Sequence, residues 1–150
     1  MLEAFNFRVI VEYLPLYWKC LLATLWLSGA GLLGALIVGV VACAMRISRS
    51  KLVSRVAGVY IESIRSTPLL AQLYFFYFGL PSLGIPIREE TTGVLALALN
   101  SGAYMAEIIR AGVQSISYGQ IEAAMSSGLG YVQRMRSIVL PQAVGVTLPP

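Results

Sequence analysis

GQIEAAMSSGLGYVQRMRSIVLP, residues Gly119 to Pro141, is the stretch whose reading decides the rest. Ser117 and Gln120 stand in S-x-x-Q spacing, a capping box that predicts a helix starting near Tyr118. Gly128 is placed to end that helix as its C′ residue, and a second helix is predicted from about Tyr131 to Leu140. The result is a helix–turn–helix whose tip displays Ala123 and Ala124 beside one carboxylate, Glu122. Small side chains let another backbone or groove approach closely, so the shape suits docking onto a partner. The plainer alternative is an amphipathic helix lying on a membrane.

Composition places the chain in a membrane before any motif is used. It is 57% hydrophobic and only 12% charged, against roughly 25% charged in soluble domains. Cys20–Met45 runs for 26 residues without a charge, about 39 Å of helix, enough to cross a bilayer with some tilt. Ala42-Cys43-Ala44 mimics a signal-peptidase site, but a signal peptide has an apolar region of only about 7–15 residues behind a basic leader. Here Arg8 and Lys19 are balanced by Glu3 and Glu12, and the run is far longer. It reads as a retained transmembrane helix.

Two further spans follow on weaker hydropathy. Ser66–Ile87 is free of charge, interrupted by Pro68, Pro81 and Pro86, and its helix is predicted to end near Gly79-Leu-Pro81. Thr91–Ala106 is uncharged, and Ile108, Ile109 and Val113 extend it. The expected organisation is an external N-terminal segment at 1–19, spans at about 20–45, 58–80 and 91–113, and a coupling segment at 115–143. Arg46, Arg49, Lys51 and Arg55 follow the first span, whereas Arg88, Glu89 and Glu90 make a turn after the second. The positive-inside rule then puts the first loop in the cytoplasm and the N-terminus outside. The net charge of +4 is therefore a topology signal and not a nucleic-acid footprint.

Several apparent motifs dissolve on inspection. Gly29-Ala-Gly31-Leu-Leu-Gly34 matches G-x-G-x-x-G but lies inside an apolar run with no acidic residue about 20 positions on. Packing accounts for it better: Gly31, Ala35, Gly39 and Cys43 form a small-residue ridge at intervals of four. Cys20 and Cys43 sit toward opposite ends of that helix, roughly 34 Å apart, too far to bridge. The chain has no His and no Asp, which removes histidine-based triads and most metal sites, and it has no phosphate loop.

What remains are polar residues at membrane depth, functional candidates because burying them is costly. Asn100, Tyr104 and Glu107 follow i, i+4, i+7 spacing on one face of the third span, with Ser101 beside them. Glu62–Arg65 and Glu107–Arg110 are spaced to pair at i, i+3, and either pair could serve only to fix helix rotation.

Beside the Glu122-Ala-Ala segment stand Glu62-Ser-Ile-Arg-Ser-Thr-Pro-Leu-Leu-Ala-Gln72, Tyr77-Phe-Gly-Leu-Pro81, Leu99-Asn-Ser-Gly-Ala-Tyr104-Met-Ala-Glu107 and Leu140-Pro-Gln-Ala143. Together they resemble the polar amino acid uptake branch of bacterial ABC-importer permeases, of the MetI-like fold, from about Tyr13 to the end. The chain departs from that pattern at Cys20, Ser127 and Gly145, where Gly, Leu and Arg are common. The resemblance implies an all-α polytopic membrane protein of the bacterial cytoplasmic membrane. It further implies coupling to an ATPase through Gln120, Glu122, Ala123, Ala124 and Gly128, while the polar face of the third span is itself expected to line a substrate route along Asn100, Ser101, Tyr104 and Glu107. The implied partners are cytoplasmic ABC ATPase subunits, a second permease subunit, an external solute-binding protein and membrane lipids. No cofactor is expected on this chain, ATP and Mg²⁺ belonging to the ATPase, and no enzymatic activity of its own.

In this family Pro149-Pro150 would introduce a further span, so the chain is expected to stop short of a full permease. With three helices, the Gly31–Cys43 ridge and the polar face are expected to lack partners, and transport by this length alone is not expected. Two other classes fit the composition. A proton- or ion-coupled carrier would use Glu107 as its titrating group, and vesicle uptake following a proton gradient without ATP would favour it. A membrane scaffold would require a dry, wholly apolar helix interface.

Overall fold

The computed structural model describes the backbone of residues 7–147 and the side chains of residues 10–147. The expectations resting on residues 1–6 and on Pro149-Pro150 lie outside the described residues. Among those described the chain is all helix, with no strand.

Helix α1 runs from Phe7 to Arg46, 40 residues or about 60 Å, against a hydrocarbon core of about 30 Å. The segment before Cys20 is thus helical from Phe7 onward, one element with the first span. Glu12 and Lys19 limit how deep this part can sit, but charges do not stop a helix from forming. Tyr13, Tyr17 and Trp18 are exposed on the extension, as befits aromatics at a membrane–water interface.

Helix α5, Glu89–Gln114, lies along α1, and the ridge read from the sequence is the seam between them. Gly31, Ala35, Gly39 and Cys43 are all buried. A Cβ built on Gly39 would sit 2.7 Å from the Cβ of Met105, one on Gly34 2.7 Å from that of Ala98, and one on Gly31 3.0 Å from that of Leu97. From the other side, a Cβ on Gly102 would come within 2.9 Å of Val38 Cβ. The ridge therefore has a partner within this chain, contrary to expectation, because α5 answers it with small residues of its own: Ala98, Gly102, Ala103 and Ala106 are buried. The contacts advance together along both helices, so α1 and α5 are parallel and their C-terminal ends lie at the same end of the protein. Glu89 and Glu90 belong to the first turn of α5 and not to a loop; two carboxylates there complement the positive end of the helix dipole.

The second span is not one helix. Helix α2 covers Lys51–Arg65, burying Ala57, Gly58 and Ile61 while Leu52, Val56 and Val59 stay exposed on the opposite face. The chain breaks at Ser66–Pro68 and resumes as α3, Leu69–Tyr74. Pro68 cannot donate and biases Thr67 away from helical angles. The freed carbonyls are answered by buried Gln72, whose Nε2 donates to Ile64 O and Thr67 O, each at 2.9 Å. Among the described residues, only α1 and α5 are long and apolar enough to cross a membrane as single helices.

The end expected near Gly79-Leu-Pro81 comes at Ser82, one residue past the proline. Phe75–Gly79 widens into a π-helical turn, and the chain continues as α4, Leu80–Ser82. The same device recurs after helices α6, Tyr118–Ser126, and α7, Tyr131–Arg134. A π turn over Met135–Val139 leads into α8, Leu140–Thr147, so the helix expected to end at Leu140 runs on through Pro141. In both places five π residues precede Leu-Pro. A proline inside an α-helix clashes with the carbonyl four residues back and leaves it unbonded; a wider turn relieves both problems. Helix α8 returns against α5, where Gly112 opens a site only 3.0 Å from Ala143 O.

Candidate functional site

The helix–turn–helix forms where the sequence places it, by different means at its two ends. Ser117 has the extended backbone of an N-cap, but its hydroxyl makes no capping bond. The Gln120 N–H that a capping box would use donates instead to Ser117 O at 3.1 Å, so the expected box is replaced by a tight backbone turn. At the other end Gly128 has φ +76°. Its N–H donates to Met125 O at 2.9 Å and that of Leu129 to Ala124 O at 3.1 Å. These two bonds make a Schellman close, which requires a residue that tolerates the left-handed region. Ser127, one of the departures from the family pattern, turns its hydroxyl back onto Ala123 O at 3.0 Å.

Of the predicted coupling residues, Gln120, Glu122, Ala123 and Gly128 are exposed. Ala124 is not displayed at the tip; it is 4% exposed and turned inward. One residue of helix turns the side chain by about 100°, enough to separate Ala123 outside from Ala124 inside. Gln120, Ala123, Ser127, Leu129, Ile138 and neighbours enclose a shallow depression of about 360 Å³ between the two helices. The hairpin is tied to the loop after α1 by Arg49, whose guanidinium lies 5.4 Å over the ring of Tyr131. Both loops thus stand at one end of the protein, as the parallel pairing of α1 and α5 demands.

On α5 the polar residues divide. Tyr104 and Glu107 are brought together around Arg65 from the end of α2. The guanidinium lies 5.2 Å over the Tyr104 ring, Arg65 Nη1 is 4.0 Å from Glu107 Oε2, and the Tyr104 hydroxyl reaches Arg65 O at 3.5 Å. Arg110 clasps the same carboxylate, Nε donating at 3.0 and 3.1 Å and Nη2 at 2.7 Å. Asn100 and Ser101 make no side-chain hydrogen bond among the described residues, and Ser101 and Tyr104 are exposed on an open face. The Glu107–Arg110 pair forms as spaced. The Glu62–Arg65 pair does not: Glu62 goes to Arg46 at 3.7 Å, while Arg65 goes to α5. Tertiary partners and an aromatic face outcompete a neighbour one turn away.

Sequence reasoning missed the residues that join the helices here. Arg46 donates to Ser54 O at 3.2 Å and packs over Gly58, where an added Cβ would lie 2.9 Å from Nη1. The Tyr60 hydroxyl reaches across to Leu99 O at 2.7 Å, beside Asn100. Only the position of Tyr60 between the buried Ala57 and Ile61 of an amphipathic helix could have pointed to it. No group of three or more His, Cys, Asp or Glu suited to a metal occurs among the described residues.

Comparison with known proteins gives a consistent result. The family described as binding-protein-dependent transport system inner membrane component matches residues 31–150. The probable glutamine ABC transporter permease protein GlnM of Bacillus subtilis is 40% identical over 97% of this chain and 67% of its own length. The glutamine transport system permease protein GlnP of Escherichia coli K12 is 38% identical over 97% of this chain and 68% of its own. A solved structure, "Crystal structure of an amino acid ABC transporter with histidines", superimposes with TM-score 0.88 at 43% identity, covering 95% of this chain and 66% of that one. The chain spans about two thirds of the length of the relatives it matches.

Proposed function

This chain belongs to the family of binding-protein-dependent transport inner membrane components, with the MetI-like permease fold, and from that premise we propose that it serves as a permease subunit of an ATP-driven amino acid importer. The observation that carries the reading is the α6 hairpin: a short helix closed by a Schellman turn, with Glu122 and Ala123 exposed and unengaged at one end of a membrane bundle. Such a knob fits a groove on a cytoplasmic ABC ATPase, Glu122 supplying a charge-assisted contact and Ala123 close approach. Gln120 would flank that contact and Ala124 support it from within. ATP and Mg²⁺ would be held by the ATPase, and the remaining partners would be a second permease subunit and an external solute-binding protein.

The N-terminus would lie outside and the hairpin inside, since the Arg46–Arg55 cluster and the hairpin share one end and basic loops stay cytoplasmic. The open face of α5 would line the substrate route. Asn100, Ser101 and the Tyr104 hydroxyl offer donors and acceptors without a single strong trap, which suits a zwitterion. Glu107, held by three hydrogen bonds from Arg110, serves this route as a fixed charge and not as the free carboxylate a proton-coupled carrier would titrate.

The test is co-purification with the candidate ATPase and transport in proteoliposomes. Glu122→Arg should abolish ATPase retention and stimulated hydrolysis while leaving the permease folded. Asn100→Ala and Tyr104→Phe should retain the ATPase and alter transport rate or selectivity. Full ATPase retention by Glu122→Arg would overturn the docking assignment, and normal transport by both α5 variants would move the pathway elsewhere.

A further inference from the structure

The basic loop after α1 does more than mark a side of the membrane. Arg46, Ser48, Arg49, Lys51, Ser54 and Arg55 line a concavity of about 310 Å³ where α1 ends and α2 begins. Topology by itself requires only that positive charge lie on one side; it does not require four cations to converge on one hollow. Their charges are poorly compensated. Among the described residues the one carboxylate ion-paired with any of them is Glu62, 3.7 Å from Arg46, and Arg49 is engaged only with the Tyr131 ring. Lys51 and Arg55 are exposed and have no ion-pair partner among the described residues.

The backbone adds to the same field. Helix α2 starts at Lys51 with no acidic residue in its first turn and no side-chain cap, so the N–H groups of its first turn remain available. Ser48 Oγ accepts from the N–H of the N-cap residue Ser50 at 3.3 Å and leaves those of the first turn alone. An uncapped helix N-terminus and convergent guanidinium and ammonium groups are the ingredients of a phosphate site. The hollow also lies at the C-terminal end of α1, a helix long and apolar enough to cross a membrane, in a chain of an inner membrane family. We propose that this hollow binds the phosphate headgroup of an anionic phospholipid, with Lys51 and Arg55 as its principal cations and α2's first turn as its backbone cradle. The lipid is the occupant favoured over a free anion because Val56, next in sequence to Arg55, lines an apolar groove with Val41 and Met45 of α1 that can carry acyl chains.

The inference rests on the membrane placement above but not on ATPase docking, so its test uses the permease alone, in the form encoded by its gene. Purified protein is equilibrated in nanodiscs of mixed phosphatidylglycerol and phosphatidylcholine, and retained lipid is measured after detergent extraction by native mass spectrometry. Phosphatidylglycerol should be retained preferentially. The Lys51→Gln/Arg55→Gln pair should cut that preference about thirtyfold, on the scale of about fivefold for each cation near an anionic lipid surface. Lys51→Arg/Arg55→Lys should restore it. Equal retention of the two lipids, or an unchanged preference in the Gln pair, overturns the proposal. Inorganic phosphate that displaces the lipid at equal concentration overturns the lipid assignment in favour of a free-anion site.

Discussion

The α1–α5 seam and the α6 hairpin both depend on glycine, for unrelated reasons. Along the seam glycine matters for the atom it lacks: Gly34 and Gly39 let two helices approach until a single added carbon would meet a fixed Cβ at 2.7 Å. At Gly128 there is open space around the position, and what matters is the backbone angle, φ +76°. One region is specified by volume and the other by conformation. Damage should therefore be read out differently, as lost assembly in the first and as lost coupling from an intact bundle in the second.

The largest effect is expected at the seam. Gly39→Leu places a branched side chain against Met105 Cβ and Gly102 O, and overpacking of this kind typically costs about 1–3 kcal/mol or more. The variant should lower the thermal midpoint of the detergent-solubilised protein markedly. Gly29→Ala, ten residues earlier with nothing within 4 Å, should leave it unchanged; equal effects at the two sites would break the volume argument.

A smaller, differently distributed effect is expected at the hairpin. Gly128→Val forces a β-branched residue into the left-handed region, about 1–2 kcal/mol, spent locally on opening the Schellman turn. Thermal stability of the bundle should change little while ATPase retention falls. Gly128→Asn, which tolerates that region, should recover most of the binding. Equal losses for Val and Asn would mean that the hairpin needs small size and not a turn.

Smallest of all should be Glu62→Gln. Its partner Arg46 is 3.7 Å away, and the two side chains are 34% and 75% exposed, so the pair sits in the range of surface ion pairs, at most about 1 kcal/mol and screened by salt. A midpoint shift as large as that of Gly39→Leu would place Arg46–Glu62 among the principal struts of the bundle.

The same contrast explains which parts were legible beforehand. A ridge of small residues every four positions is a local pattern with one helical meaning, and Gly31–Cys43 could be read directly. Gly128 was readable too, because a glycine after a short helix has a well-defined use. Proline was half readable. Pro68 breaks the chain, but Pro81 and Pro141 are absorbed by π turns that depend on hydrogen bonds several residues earlier. Ion-pair choice was not readable for Arg65, since an i, i+3 spacing says nothing of a Tyr104 ring from another helix. Nor could the spacing of Ser117 and Gln120 reveal that the backbone would take the donor first.

The paired π turns have a consequence for how this chain can change length. A π turn is in effect a one-residue insertion tolerated by a helix, and here each is stationed just ahead of a proline. Removing one residue from Phe75–Gly79 or Met135–Val139 would restore ordinary helical winding and leave the helix beyond it facing the same way, because the widened turn already absorbs the extra residue. The same deletion made in the ordinary helix on either side would turn every later side chain of α4 or α8 by about 100°. These two stretches act as indexing points: they preserve the angle at which the following helix offers its faces to whatever packs beside it.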